Sequence, residues 1–219
     1  MADDLPEDSK LTRSKRRWAE EGRFLTGRHL RAEEDRLPPG QHLVRDWPVL
    51  DLGRQPDIPF ERWSLRLFGL VEHEVTLDWP AFTALPQTQE RSDIHCVTSW
   101  SRYDNDWSGV STNMLLELVR PLASATAVML HSLDGYTTNL RLDDFSAPDV
   151  LVAVRWSGQP LTRPHGGPAR LVVPHLYFWK SAKWLGAIEF VAEDQPGFWE
   201  ANGYHLRGDP WAEERYADR

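Results

Sequence analysis

The chain has 219 residues, 33 acidic and 25 basic, giving a formal net charge of −8 at pH 7; it is 41% hydrophobic and holds a single cysteine. That length suits one domain with a real core, and the hydrophobic content is too high for a disordered chain. No run reaches the ~18–20 apolar residues that span a bilayer. One cysteine excludes a disulfide framework, a zinc ribbon or a four-thiolate cluster, and net acidity argues against nucleic-acid affinity.

Residues 1–36 carry nine acids balanced by nine bases, which reads as a charged N-terminal arm with a short helix over 16–24. No apolar stretch follows Arg16 and Arg17, so a twin-arginine export signal is not expected and the chain is read as cytoplasmic. Leu37, Pro38, Pro39 and Gly40 punctuate the chain and open a single domain over residues 37–219.

Trp63, Leu65 and Leu67 alternate with polar residues, a half-buried strand, and Val75 and Leu77 begin another. Ser111 and Thr112 predict a helix N-cap; Met114, Leu115, Leu118 and Val119 fall on one helical face, and Pro121 stops it. Residues 125–131 read as a strand, Asp134 and Gly135 as a turn, and residues 136–140 as the returning strand. Further strands are expected over 149–156, 169–173 and 187–192. The eleven tryptophans are expected to be mostly structural.

Charge is unevenly spread. Residues 161–184 contain Arg163, Arg170, Lys180 and Lys183 and no acid, whereas residues 185–219 hold eight acids against three bases. A basic run interleaved with glycines and aromatics suits a bound anion, with backbone N–H groups of the Gly166–Gly167 turn and a forked Arg170 as donors. A solvated basic face is the alternative, and the pattern leaves both open. There is no GxxxxGK and no GxGxxG, so nucleoside triphosphate and Rossmann dinucleotide sites have no support.

Cys96 lies in RSDIHCVTSW. As an isolated cysteine it reads first as a small core residue. A Cys–His dyad with His95 has weak support, because adjacent strand residues point to opposite faces. A thiolate ligand to a metal needs only one cysteine where a cofactor brings the other ligands.

The runs HCVTSWS, DGYTTNL, HGGPARLVVP and YFWKSAKWLG, with Trp107, Ser108 and Gly109 between the first two, resemble the molybdopterin-binding domain of the sulfite oxidase family, over about residues 37–216. The stand-alone bacterial members, of the protein-methionine-sulfoxide reductase type, are the most similar. The resemblance implies an α+β, strand-rich fold that holds molybdenum through one pterin dithiolene. It makes Cys96 the protein's metal ligand and Tyr136 an active-site hydroxyl. It sets His165, Arg170, Ser181 and Lys183 on the pterin and its phosphate, with Lys180 in the same loop and Ser132 near a further cofactor contact. Arg45 resembles an active-site arginine, although Asp46 stands where the family tends to have asparagine.

The implied activity is oxygen-atom transfer to or from a small sulfur or nitrogen oxyanion or a sulfoxide. No CxxCH, haem-domain-sized extension or dimerisation domain is present, so electrons are expected to pass to or from a separate protein. Two competing readings are a non-catalytic molybdopterin-binding scaffold and a cysteine hydrolase using Cys96 with His95 or His131.

Overall fold

The computed structural model describes residues 36–217; the expected N-terminal helix lies outside them. Eleven strands and four short α-helices are present among the described residues. In the first sheet, β5 (Trp100–Ser111) is the spine, flanked by β4 (Thr88–His95) and β8 (Leu151–Trp156), both antiparallel to it. β1 (His42–Leu43) joins β5 in parallel, β10 (Arg170–Val172) pairs with β8, and β9 (Gln159–Pro160) closes a hairpin onto β8. The second sheet runs β3 (Val75–Asp78), β2 (Ser64–Gly69), β11 (Leu185–Val191), β6 (Ala127–Ser132), β7 (Thr137–Arg141).

Period-two patterning explains how the sheets stack. Leu65 and Leu67 on β2 are buried as their alternation predicts, and with Val128, Leu130, Ile188 and Phe190 they meet Val152 and Leu171 in a core shared by the two sheets. Leu151, Ala153 and Val172, on the opposite face of the first sheet, join Ile94, Trp100, Trp107 and Cys96 in a second cluster. β8 is therefore apolar on both faces, as its unbroken run Leu151–Val154 requires. Cys96 sits on the far side of the first sheet from the main core.

α1 (Trp79–Ala84) is capped by Asp78, whose carboxylate accepts from the Ala81 N–H at 2.9 Å. α2 (Thr112–Val119) begins on Ser111 as expected, and it ends one residue before Pro121 through a left-handed Arg120. The remaining helices, α3 (Leu142–Phe145) and α4 (Phe198–Ala201), are single turns. β4 and β5 escape the apolar pattern because their outward side chains are charged and paired: Arg91 bonds Asp106, and Arg36 forks onto Asp93 at 2.8 and 2.6 Å. Arg36 is thus already part of the body of the domain.

At Gly109 the β5 backbone lies so close to β8 that an added Cβ would run into the Val152 carbonyl. Gly109→Ala is expected to cost about 3 kcal/mol, read as a lowered urea midpoint with an unchanged slope.

Candidate active site

Cys96 follows β4 in a tight turn: its N–H bonds the Trp100 carbonyl at 2.8 Å, and its own carbonyl accepts from Ser99 at 3.0 Å. The turn is held from distant parts of the chain. Gln41 Nε2 donates to the Cys96 carbonyl at 3.0 Å, and Arg215 Nη1 to the Val97 carbonyl at 2.6 Å. Cys96 Sγ lies 3.1 Å from the Thr98 hydroxyl. Burial pushes the thiol up, against smaller lowering effects of Thr98 and the Arg215 charge. A neutral buried thiol is a poor nucleophile. His95 instead bonds Ser101 at 2.8 Å, and His131 pairs with Glu189 at 3.0 Å. Neither contact builds a hydrolase dyad.

Above Cys96 opens a cavity of about 300 Å³. Seven of the nine candidate residues line it: Cys96, Ser132, Tyr136, His165, Arg170, Ser181 and Lys183. They arrive from four separate stretches: the turn after β4, the β6–β7 connection, the loop before β10 with its first residue, and the loop before β11.

Arg170 is 2% exposed. Its guanidinium donates to the carbonyls of Leu171 at 3.3 Å, His165 at 3.0 Å and Ser181 at 2.7 Å, and among the described residues it meets no carboxylate. Desolvation pulls it down to about 9. Phe178 packs beneath it, 4.2 Å from ring centre to Cζ. Lys183 donates to the carbonyls of Leu50 at 2.7 Å and Pro164 at 3.1 Å, and burial, with Arg170 adding to it, brings it to about 8. His165 is stacked on Trp47, centroids 3.9 Å apart, and burial lowers it, keeping the ring neutral at pH 7. Ser181 turns its hydroxyl back to accept from the Val173 N–H at 2.9 Å. Tyr136 donates to the Trp179 carbonyl at 2.8 Å, and burial, with the Glu200 charge, raises its phenol well above the ordinary value. Ser132 Oγ is buried and has no partner.

Two candidates stand elsewhere. Lys180 does not line the cavity: its ammonium, 0% exposed, is paired with Glu200 at 2.6 Å and bonded to Asn139 and Leu206. The acid-free run of the sequence is thus partly neutralised in space. Arg45 is exposed and also lies off the cavity lining; its carbonyl accepts from Arg102 at 3.2 Å. Sequence reasoning did not single out Trp47, Thr98, Trp179, Trp199 or Tyr204, which complete the walls. In a chain with eleven tryptophans a single ring carries no local signal.

Residues 52–199 match the family described as oxidoreductase molybdopterin binding domain. The chain belongs to that family. Its sulfite-oxidase-type motifs and strand-rich fold agree with the match, and it is an oxidoreductase of the molybdopterin-binding class. It is 47% identical over 188 residues to the uncharacterized oxidoreductase YuiH of Bacillus subtilis, an alignment covering 84% of this chain and 93% of that protein. The protein-methionine-sulfoxide reductase catalytic subunit MsrP of Campylobacter jejuni is 28% identical over 158 residues, 64% of this chain and 53% of that one. MsrP of Gluconobacter oxydans is 32% identical over 155 residues, 63% and 49%. The chain therefore spans about half the length of these reductases. The sulfane dehydrogenase SoxCD of Paracoccus pantotrophus shares the fold, with a TM-score of 0.59 at 18% identity over 64% of this chain and 40% of that one.

The molybdopterin-binding domain offers residues that fit such a group. The cavity combines a thiol at its floor, a buried guanidinium with no carboxylate partner, and an orphaned Ser132 hydroxyl. The orphaned Ser132 hydroxyl and the buried Arg170 charge, which carbonyls alone meet, suit an anionic, hydrogen-bonding ligand, and the thiol suits a soft metal. No described helix is long and apolar enough to cross a membrane.

Proposed function

We propose that this chain is a cytoplasmic molybdenum oxidoreductase that moves an oxygen atom to or from a small sulfur or nitrogen oxyanion or a sulfoxide, exchanging electrons with a separate protein. The observation that carries this reading is the Cys96 thiol facing the same cavity as fully buried, carboxylate-free Arg170. A soft ligand and an anion clamp in one cavity match the two ends of a metal–pterin group. When bound, that group supplies the two-electron oxygen exchange.

The chain's own residues bind, orient and exclude water. Cys96 would hold the metal end as thiolate, giving up its proton on binding. Arg170 and Lys183 would hold the phosphate end, and His165, neutral and stacked on Trp47, would pack against the ring system. Ser132 gives its free hydroxyl to the ligand. Tyr136 keeps its proton at pH 7, held on the Trp179 carbonyl, and would have to turn that O–H away from the carbonyl to meet a substrate oxygen. Trp179, Trp199 and Tyr204 wall the remaining side with apolar surface, which strengthens every hydrogen bond inside.

A dye-linked screen of cofactor-loaded protein against sulfite, sulfoxides and N-oxides tests the reading. Turnover of at least one class, absent without the cofactor, is expected. Full cofactor content with no turnover on any class would establish the scaffold reading instead.

A further inference from the structure

The Cys96 sulfur has a polar neighbour that neither packing nor metal ligation by itself requires. Thr98, two residues on, is exposed and lines the cavity, and its hydroxyl lies 3.1 Å from Sγ. A threonine in a tight turn commonly returns its hydroxyl to the backbone. Here the sulfur is the one hydrogen-bond partner of that hydroxyl among the described residues.

The turn is shaped to hold these two atoms together. Ser99 adopts a left-handed backbone, φ 74°, uncommon outside glycine, and its N–H closes the turn onto the Cys96 carbonyl at 3.0 Å. Such a conformation persists where the surroundings over-determine it, and here Gln41 and Arg215 pin the carbonyls of Cys96 and Val97 from distant parts of the chain. The nearby cations are committed elsewhere. Arg215 gives its N–H groups to the Val97 carbonyl, the Ser99 hydroxyl and the Pro39 carbonyl. Arg170 and Lys183 give theirs to main-chain carbonyls. Among the described residues, Thr98 is the side chain that bonds the sulfur.

We propose that Thr98 is a positioning residue that sets how strongly Cys96 donates to its metal, and so the reduction potential of that metal. This rests on Cys96 being the ligand, as read above. In the free thiol either atom can donate. A thiolate has no proton, so one polarity is left: the Thr98 O–H donates and Sγ accepts. The sulfur is more negative when the metal is reduced, so the hydrogen bond is stronger in that state and the potential rises. A site with a raised potential takes electrons more readily from a separate redox protein. Thr98 acts through Cys96 throughout, as an outer partner that tunes a ligand it does not replace.

The test compares cofactor-loaded wild type, Thr98→Val and Thr98→Ser, with Cys96→Ala as control. Dye-mediated redox titration followed by the paramagnetic resonance of molybdenum(V) reads the potential, and visible absorption reads the sulfur-to-metal charge transfer. Thr98→Val keeps the β-branched shape, so molybdenum content and thermal midpoint should stay. Its reduced form should be disfavoured about ten-fold, a fall of about 59 mV for a one-electron couple, and its charge-transfer band should move to lower energy. Thr98→Ser, which keeps the hydroxyl, should restore both. A Thr98→Val protein with wild-type potential and wild-type band overturns the inference; a changed KM beside them would assign the hydroxyl to the substrate instead. The ligand reading fails separately. Cys96→Ala that keeps molybdenum and the same band, or wild type that binds no molybdenum, overturns that reading and the role of Thr98 with it.

Discussion

Cys96→Ala is expected to lower turnover at least about 100-fold, the top of the range for removing a partner one shell out from a metal, and to strip molybdenum from the protein. Folding should change little. Cys96 is a small buried residue against Ile94, Trp100 and Trp107, and its turn is held by bonds to main-chain carbonyls from the Gln41 and Arg215 side chains and the Ser99 N–H, which alanine keeps. The stability cost is about 1 kcal/mol, a typical single-substitution value. The result separates the two roles of a lone cysteine. A packing residue would lose stability with activity in proportion, whereas a ligand loses activity and metal while the thermal midpoint stays. Cys96→Ser, nearly the same size, should fail as alanine does.

The second large effect is a pH dependence that the cofactor switches off. Lys183 stands near 8 against an ordinary 10.5, and Arg170 near 9 against 12.5, in both cases because burial disfavours the charged form. The sign follows from proton counting. Between pH 8 and 10.5 the folded cofactor-free chain has released the Lys183 proton and the unfolded chain has not, so stability rises with pH across that window. Lys183 withholds on the order of 3 kcal/mol at pH 7, and Arg170 extends the rise toward higher pH. An anionic ligand compensates both cations, so loaded protein should show a flatter profile and a higher midpoint. Lys183→Met should remove much of the slope from cofactor-free protein and weaken cofactor retention. Thermal melts of the two forms from pH 7 to 10.5 check it. A parallel rise in both forms would mean that neither cation faces the ligand.

What was legible in the sequence follows from where the physics is local. β2, β6, β8 and β11 announce themselves because Leu65, Val128, Leu151 and Ile188 alternate with polar neighbours or form buried runs. β4 and β5 do not, since Arg91, Asp93 and Asp106 find their charges across the sheet or in Arg36, contacts that no window of sequence contains. The candidate site was readable through its motifs, which carry Cys96, His165, Arg170 and Lys183 to one cavity from distant stretches. What places Lys180 and Arg45 off the cavity lining is long-range as well. Residues 161–184 are purely basic along the chain, but Glu200, twenty residues past Lys180, neutralises that lysine in the fold. The motif around Arg45 likewise brought Trp47, not the arginine, to the cavity wall.

The central claim is that Cys96 and Arg170 mark the two ends of one metal–pterin group. The direct measurement is molybdenum and pterin per chain, by elemental analysis and fluorescence of the oxidised pterin, on wild type, Cys96→Ala and Arg170→Met made in a cofactor-producing host. About one molybdenum and one pterin per wild-type chain are expected. Cys96→Ala should lose the metal first, and Arg170→Met should lose pterin and metal together. Folded wild-type protein from that host carrying neither metal nor pterin would contradict the account.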